Sequence, residues 1–220
     1  MNPSSLVHQI RPASGGSGPY PGIILLHGIG ATETDLHMLA QGLHPRVFAI
    51  SVRAPQPYAW GGYQWYDLEE GPGLGGASIE ASLNILSRFI AEVLETYPID
   101  PNRLYVGGFS QGAAMSGALA LLEPERVAGA VMISGYLPPP TEARAYAEGS
   151  GGGRPFFQSH GTNDTVVPLI YAQQTRDFLI GIGVDLTYHD YPIGHEVSAE
   201  ELADLASWLS PLLSGQTSHQ

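Results

Sequence analysis

The sequence of 220 residues contains no cysteine and no lysine. Without cysteine, the chain has no thiol nucleophile, no cysteine-based metal site and no disulfide framework. Without lysine, it cannot form a Schiff base with a substrate carbonyl or use a Ser–Lys dyad. These absences exclude the enzyme classes that depend on a thiol or an amine nucleophile.

Positive charge is also scarce. The chain has nine arginines against 21 aspartates and glutamates, and its formal net charge is −12 at pH 7. An acidic surface repels phosphate backbones, so we expect no nucleic-acid partner. Strongly anionic substrates are disfavoured for the same reason.

Long apolar runs are missing as well. No stretch approaches the length of a membrane span, and residues 1–6 lack a signal-peptide pattern, so we expect a cytoplasmic protein without stable membrane insertion. The hydrophobic fraction of 43% suffices for one well-filled core. We therefore predict a single domain over residues 1–220, in which about 214–220 form a frayed tail.

Short apolar runs alternate with helical patterns along the chain. The runs predict buried strands at residues 23–27, 47–52, 104–108, 127–134, 154–159 and 184–191. Helices are predicted at 78–97, from 110 to about 122, from 168 to just before 181, and at about 198–213. The alternation predicts a mostly parallel sheet with helices on both faces, where ligands bind at the carboxyl ends of the strands.

The pattern G-x-S-x-G is found at Gly108-Phe109-Ser110-Gln111-Gly112, between a predicted strand and a predicted helix. This context is typical of a nucleophile elbow, in which the glycines allow a tight and strained turn around the serine. The alternative is a chance glycine-rich turn. The strand-elbow-helix setting favours Ser110 as a nucleophile.

A serine nucleophile needs a base, and with such an elbow the partners follow in the order Ser, Asp or Glu, His. His195 is the favoured base, because it follows a turn after the last predicted strand and precedes the last predicted helix. His189 lies inside a predicted strand, and His219 lies in the predicted tail. Asp164 directly follows a strand and is the favoured acid that orients His195, although it could also be a turn residue.

Two backbone N–H groups are candidates for an oxyanion hole. One belongs to Gln111, directly after the nucleophile, and the other to Ile29, in the loop after an early strand. That loop could instead bind a dinucleotide, but Glu33 stands where the third glycine should be. His27 is then interpreted as a structural residue that braces the loop. We expect neither a metal ion nor a cofactor.

Aromatic side chains cluster shortly after the second predicted strand, at Tyr58, Trp60, Tyr63, Trp65 and Tyr66. They could pack a loop or form one wall of an apolar acyl or alcohol pocket, and the sequence favours neither over the other. The glycine-rich segment 71–76 around Leu74 could be a flap over this pocket.

Six segments carry a family resemblance. They are LLHGIGATETDL (25–36), RAPQP (53–57), QWYDL (64–68), GGFSQGAAM (107–115), HGTNDTVVP (160–168) and GHEVS (194–198). In this order they resemble the phospholipase/carboxylesterase family, which includes relatives of the acyl-protein thioesterases. The resemblance implies the α/β-hydrolase fold with Ser110, Asp164 and His195 as a catalytic triad. It implies the same oxyanion donors, Ile29 and Gln111.

The resemblance further implies that the segment around Trp65 and Leu74 borders the substrate channel, and that Val167 lies near it. It makes a homodimer plausible. The absence of cysteine differs from the eukaryotic thioesterases, and the chain is more similar to the bacterial carboxylesterase-type branch.

The sequence therefore predicts a serine carboxylesterase that acts on a small-molecule ester through an acyl-enzyme. An acyl thioesterase or lysophospholipase is the nearest alternative. An alternative of another class is a non-catalytic binding module that keeps the hydrolase scaffold. Such a module would be expected to have lost a member of the triad, and none is missing.

Overall fold

The computed structural model describes residues 6–68, 76–149 and 152–214. Its strands are β1 (His8–Arg11), β2 (Tyr20–Leu26), β3 (Phe48–Val52), β4 (Gln56–Pro57), β5 (Tyr63–Gln64), β6 (Ile99–Phe109), β7 (Gly129–Ile133), β8 (Pro155–Gly161) and β9 (Asp185–Tyr191). Its helices are α1 (His37–Gly42), α2 (Gly76–Thr96), α3 (Gln111–Leu122), α4 (Pro139–Glu148), α5 (Leu169–Gly181) and α6 (Ala199–Ser214). Every strand and helix predicted from the sequence is present, with ends that differ by a few residues.

One seven-stranded sheet has the order β1-β3-β2-β6-β7-β8-β9. Every pairing in it is parallel except that of β1 with β3. The strands β4 and β5 pair separately as a short antiparallel hairpin. The prediction of a mostly parallel sheet is confirmed. The carboxyl ends of its parallel strands share one edge, which gathers loops that are distant in sequence.

Apolar side chains cover both faces of the sheet. Successive residues of a strand point to opposite faces, so Ile24 of β2 joins a core cluster with Phe89 of α2, whereas Ile23 joins a second cluster with Leu205 of α6. α2 buries one apolar stripe against the first face; its buried members include Ile79, Leu83, Leu86, Ile90 and Val93. Helices therefore lie on both faces, as predicted.

The crossing of α3 over the sheet depends on two glycines. A Cβ atom on Gly112 would lie 1.9 Å from the carbonyl oxygen of Leu26, and one on Gly108 would lie 2.3 Å from the backbone of Gly112. Between them, Ser110 has φ 54° and ψ −116°, a conformation that a residue with a side chain rarely adopts. The glycines therefore let α3 pass directly over the end of β2, and they hold Ser110 at the turn.

The sequence pattern does not predict β1, α4 or the hairpin of β4 and β5. β1 is a four-residue edge strand whose side chains are partly exposed, so it has no continuous apolar run. α4 begins within three consecutive prolines, which fit the first turn of a helix but hide its periodicity.

Within the three described stretches, no helix is long and apolar enough to cross a membrane. Leu74, residues 71–75 of the proposed flap, and residues 215–220 of the proposed tail lie outside the described residues. The single domain over residues 1–220 therefore stays a prediction.

Replacing Gly112 with alanine should destabilise the fold, because the added methyl group would force α3 away from β2. We expect the free energy of unfolding to fall by about 3 kcal/mol or more. Urea denaturation followed by circular dichroism measures this loss. The matched control is Gly181→Ala, which also alters a helical glycine but has no atom within 4 Å of the added Cβ. Its stability should change by less than about 1 kcal/mol, and equal losses in both variants would contradict the close crossing.

Candidate active site

Ser110 stands at the junction of β6 and α3, at the carboxyl edge of the sheet. Its N–H donates to the carbonyl oxygen of Ile133 at 2.9 Å, which fixes the turn to β7. Its own carbonyl oxygen accepts hydrogen bonds from the N–H groups of Ala113 at 3.0 Å and Ala114 at 3.3 Å. The strained backbone is thus held on both sides, and Ser110 lines a large cavity. The arrangement is that of a nucleophile elbow.

His195 and Asp164 are joined by a short hydrogen bond. The distance from His195 Nδ1 to Asp164 Oδ2 is 2.6 Å, although the two residues are 31 positions apart in the chain. The other carboxylate oxygen, Oδ1, accepts from the backbone N–H groups of Val166 and Val167, each at 2.8 Å. An ionised carboxylate can only accept, so Nδ1 carries the proton and Nε2 is left with a lone pair.

The environment of Asp164 favours its ionised form. Its side chain has no solvent exposure, and this burial raises its pKa. The hydrogen bond from His195 and those from the Val167 and Val166 amides act in the opposite direction and prevail, so the pKa lies below its ordinary value of 3.8. At neutral pH Asp164 is therefore a carboxylate that orients the imidazole.

Backbone contacts clamp the loops that carry these two side chains. The N–H of Thr162 donates to the carbonyl oxygen of Tyr191 at 2.7 Å, and that of Asn163 donates to Ile193 at 3.0 Å. A Cβ atom on Gly161 would lie 2.3 Å from the carbonyl oxygen of Gly194, so the loops touch backbone to backbone. The loops follow the neighbouring strands β8 and β9, and parallel pairing therefore brings them together.

The ring of His195 lies beside the elbow. Its centroid is 4.8 Å from that of Phe109, the residue before Ser110, at an interplanar angle of 47°. Within the described part of the chain, no hydrogen bond joins the Ser110 hydroxyl to this ring. Catalytic hydrogen bonds of this kind are often long in a free enzyme and shorten when substrate binds.

The amides of Ile29 and Gln111 flank Ser110 at the same cavity. Among the residues that the structure describes, neither amide donates to a protein acceptor. Gln111 begins α3, where the first N–H groups of a helix have no partner within it. Both amides are therefore available to a negatively charged oxygen formed beside Ser110.

His27 fixes the direction of the Ile29 amide. The N–H of Ala54 donates to His27 Nε2 at 3.0 Å, so Nδ1 must carry the proton, and Nδ1 donates to the carbonyl oxygen of Gly28 at 2.7 Å. Burial lowers the pKa of His27, which keeps the ring neutral. In a planar trans peptide, the carbonyl of Gly28 and the N–H of Ile29 point in opposite directions. His27 therefore turns that N–H away from the core, and its predicted bracing role agrees with this geometry.

The side chain of Trp65 does not line the cavity at Ser110, whereas the residues that follow it, Tyr66, Asp67 and Leu68, do. The side chain is fully buried, and its Nε1 donates to the carbonyl oxygen of His27 at 2.8 Å. Its backbone N–H donates to the side-chain oxygen of Gln111 at 2.7 Å, while Gln111 Nε2 donates to the carbonyl oxygen of Tyr66 at 2.6 Å. These bonds tie the segment before residue 67 to the start of α3, and they pull the large indole into the core.

The cavity at Ser110 has a volume of about 840 Å³. Val167 lines it, and so does Tyr66, alone among the described members of the aromatic cluster. Further lining comes from Tyr136, after β7, and Tyr171, on α5, whose ring centroids are 5.4 Å apart. The sequence pattern did not single out these two tyrosines, because they lie in segments without a recognisable motif.

Another histidine, His160, is fully buried next to Asp164. Its Nε2 donates to the carbonyl oxygen of Val167 at 2.8 Å and lies 3.4 Å from Asp164 Oδ2. It therefore supports the loop around Asp164. Across the described ranges, no group of three histidine or acidic side chains is arranged to hold a metal ion.

Comparison with known proteins places this geometry among hydrolases. The sequence model of the family described as Phospholipase/Carboxylesterase matches residues 13–213. Acyl-protein thioesterase 1 of Mycosarcoma maydis is 31% identical over 233 residues, which cover 94% of this chain and 97% of that protein. Lysophospholipase-like protein 1 of Mus musculus is 35% identical over 147 residues, 65% of this chain and 60% of that protein.

Solved structures show the same architecture. The crystal structure of esterase PE8 is 28% identical with a TM-score of 0.86, and the match covers 94% of this chain and 99% of that one. The Bacillus cereus carboxylesterase is 21% identical with a TM-score of 0.81 and 96% coverage of both chains, a likeness of fold alone.

Acidification should destabilise the wild-type protein more steeply than its Asp164→Asn variant. Because the folded-state pKa of Asp164 is depressed, its contribution to stability is present above the unfolded-state pKa and is lost as the pH falls through the folded value. The difference in the free energy of unfolding between the two proteins should therefore shrink as the pH falls below about 5. Urea titrations at several pH values measure it, with the exposed change Asp185→Asn as control. A difference that stays constant with pH would contradict the assignment.

Proposed function

Because this chain belongs to the phospholipase/carboxylesterase family and is a serine hydrolase with the α/β-hydrolase fold, we propose that it hydrolyses carboxylic esters with Ser110 as nucleophile, His195 as base and Asp164 as orienting acid. The observation that carries this proposal is the 2.6 Å hydrogen bond between His195 and Asp164, beside an elbow that presents Ser110 to a cavity.

The first step forms an acyl-enzyme. Ser110 Oγ attacks the ester carbonyl while His195 Nε2 accepts the hydroxyl proton. The imidazolium is stabilised by the carboxylate of Asp164, which keeps its charge throughout. His195 then gives the proton to the leaving alcohol oxygen as the carbon–oxygen bond breaks.

The second step returns the free enzyme. Water attacks the acyl carbon, and His195 accepts one proton from it and passes that proton to Ser110 Oγ as the acid leaves. In both steps the amides of Ile29 and Gln111 would hold the oxyanion. Their lack of protein partners supports this role, since an N–H already committed to another acceptor would be unavailable to it.

The cavity suits the acyl part of the substrate. His195 must reach the leaving-group oxygen to protonate it, so the leaving group lies on the His195 side of Ser110. The cavity is lined by α4, by α5 and by the loop at Val167, and His195 is not among the described residues that line it. The wall of the cavity is mostly apolar and includes three tyrosines, and it is therefore suited to a medium-length acyl chain.

An acyl thioesterase is the second candidate, and the name of the Mycosarcoma maydis relative supports it. The same three side chains and amides would cleave a thioester by the same steps. A lysophospholipase is less well supported, because none of the described residues that line the cavity is an arginine that could meet a phosphate. A non-catalytic binding module would have no use for the strained elbow or for the buried carboxylate that orients His195.

Several finer expectations remain predictions. They are the cytoplasmic location, the homodimer, the bacterial carboxylesterase-type branch and the position of Leu74 at the channel. The place of Val167 beside the cavity supports a contact between this residue and substrate.

Ser110→Ala should abolish hydrolysis of a short aryl ester such as p-nitrophenyl butyrate. We expect kcat/KM to fall at least about 10⁴-fold, because the variant lacks the hydroxyl on which the acyl-enzyme would form. Release of p-nitrophenolate measures the rate. The matched control is Ser116→Ala on the same helix, whose buried hydroxyl makes no hydrogen bond within the described chain. Retained turnover in the Ser110 variant would end the proposal. A separate comparison of oxygen esters with thioesters of equal acyl length would decide between a carboxylesterase and an acyl thioesterase.

His27→Leu should lower kcat far more than it raises KM. Loss of the bond to the Gly28 carbonyl frees the peptide that directs the Ile29 amide, and an oxyanion donor acts mainly in the transition state. We expect kcat to fall about 10- to 100-fold in aryl-ester assays. Asparagine can place a donor where Nδ1 was, so His27→Asn should recover part of kcat. An unchanged kcat per folded molecule in the leucine variant would contradict this positioning role.

A further inference from the structure

The charged side chains that line the cavity at Ser110 are all acidic. Among the described lining residues they are Asp67 and Glu142, and no arginine is present. Asp67 is exposed and accepts a hydrogen bond from Gln64 Nε2 at 2.8 Å. Glu142 is the more enclosed of the two carboxylates, and the cavity therefore has a local negative charge on its α4 side.

Glu142 has no compensating partner among the residues that the structure describes. It lies in the first turn of α4 and is half-buried, and within the described residues its carboxylate makes neither a hydrogen bond nor an ion pair. The nearby cation of the same helix, Arg144, is paired instead with Glu148 at 2.9 Å and Glu80 at 3.1 Å. Burial raises the pKa of Glu142, with no cation acting against it. A charge withdrawn from water without a partner is unfavourable unless a ligand supplies one.

We propose that Glu142 selects the acyl group of the substrate by charge, so that the cavity accepts neutral or cationic acyl chains and rejects chains that end in a carboxylate or phosphate. This rests on the proposed function, because it assumes that the acyl part occupies the cavity. The apolar wall attracts any aliphatic chain, and the discrimination arises at the charged end of the chain. Repulsion of the wrong group is then as much a part of specificity as attraction of the right one.

The size of the effect follows from Coulomb's law. For charges about 6 Å apart at an effective dielectric constant of about 20, attraction and repulsion each correspond to roughly a hundredfold in an equilibrium constant, and salt reduces this. We therefore expect the ratio of kcat/KM for a cationic acyl chain to that for an anionic one to exceed about tenfold.

The test compares three p-nitrophenyl esters of equal chain length, those of hexanoate, ε-aminohexanoate and adipate. Wild type, Glu142→Gln and Glu95→Gln are assayed at pH 7 and low ionic strength. Glu95 is an exposed glutamate near the end of α2, outside the cavity, so its variant has the same net charge as Glu142→Gln. The measured quantity is the cationic-to-anionic ratio of kcat/KM in each protein, in which any general change of activity cancels.

The proposal predicts a ratio above about tenfold in wild type and in Glu95→Gln, and a fall of about tenfold in Glu142→Gln. A ratio near one in wild type, or equal ratios in the two variants, would overturn it. Either outcome leaves the proposed function intact as long as the hexanoate ester is hydrolysed through Ser110. Failure to hydrolyse the hexanoate ester would instead contradict the proposed function itself.

Discussion

The hydrogen bond of 2.6 Å between His195 Nδ1 and Asp164 Oδ2 is the interaction on which the proposed chemistry of this protein depends. It sets the tautomer of the imidazole, and so leaves Nε2 as the atom that can accept a proton. Asp164 is ionised because this hydrogen bond, together with those from the Val167 and Val166 amides, outweighs the cost of burial and holds its pKa below the ordinary value. Without that charge, the ring beside Ser110 would be neither oriented nor basic at the required atom.

The sheet supplies the frame in which this bond can form. Parallel pairing of β8 with β9 brings two loops into backbone contact, and the glycines of the elbow let α3 start directly over β2. A second set of bonds, centred on His27 and the Gln111 side chain, holds the two free amides at the cavity. The described backbone around Ser110 is thus held by hydrogen bonds and close packing, which favours preorganised stabilisation of a charge.

The sheet and the three side chains of the proposed triad could be predicted from the sequence, because these side chains follow buried strands. Apolar runs locate the strands, and a polar residue after a strand must lie at the carboxyl edge, which suffices for Ser110, Asp164 and His195. The aromatic residues were less predictable. Trp65 was expected at the channel but lies in the core, since a local pattern does not show which way a loop side chain turns. Glu142 has no sequence signal, because its position depends on how α4 packs beside the elbow.

The most direct test of the account is a crystal structure of the protein after reaction with a fluorophosphonate. The account predicts phosphorus bonded to Ser110 Oγ and the phosphoryl oxygen within about 3 Å of the amides of Ile29 and Gln111. It also predicts that Nε2 of His195 faces the adduct while Nδ1 keeps its bond to Asp164. An adduct on another residue, or an imidazole turned away from both Ser110 and Asp164, would contradict it.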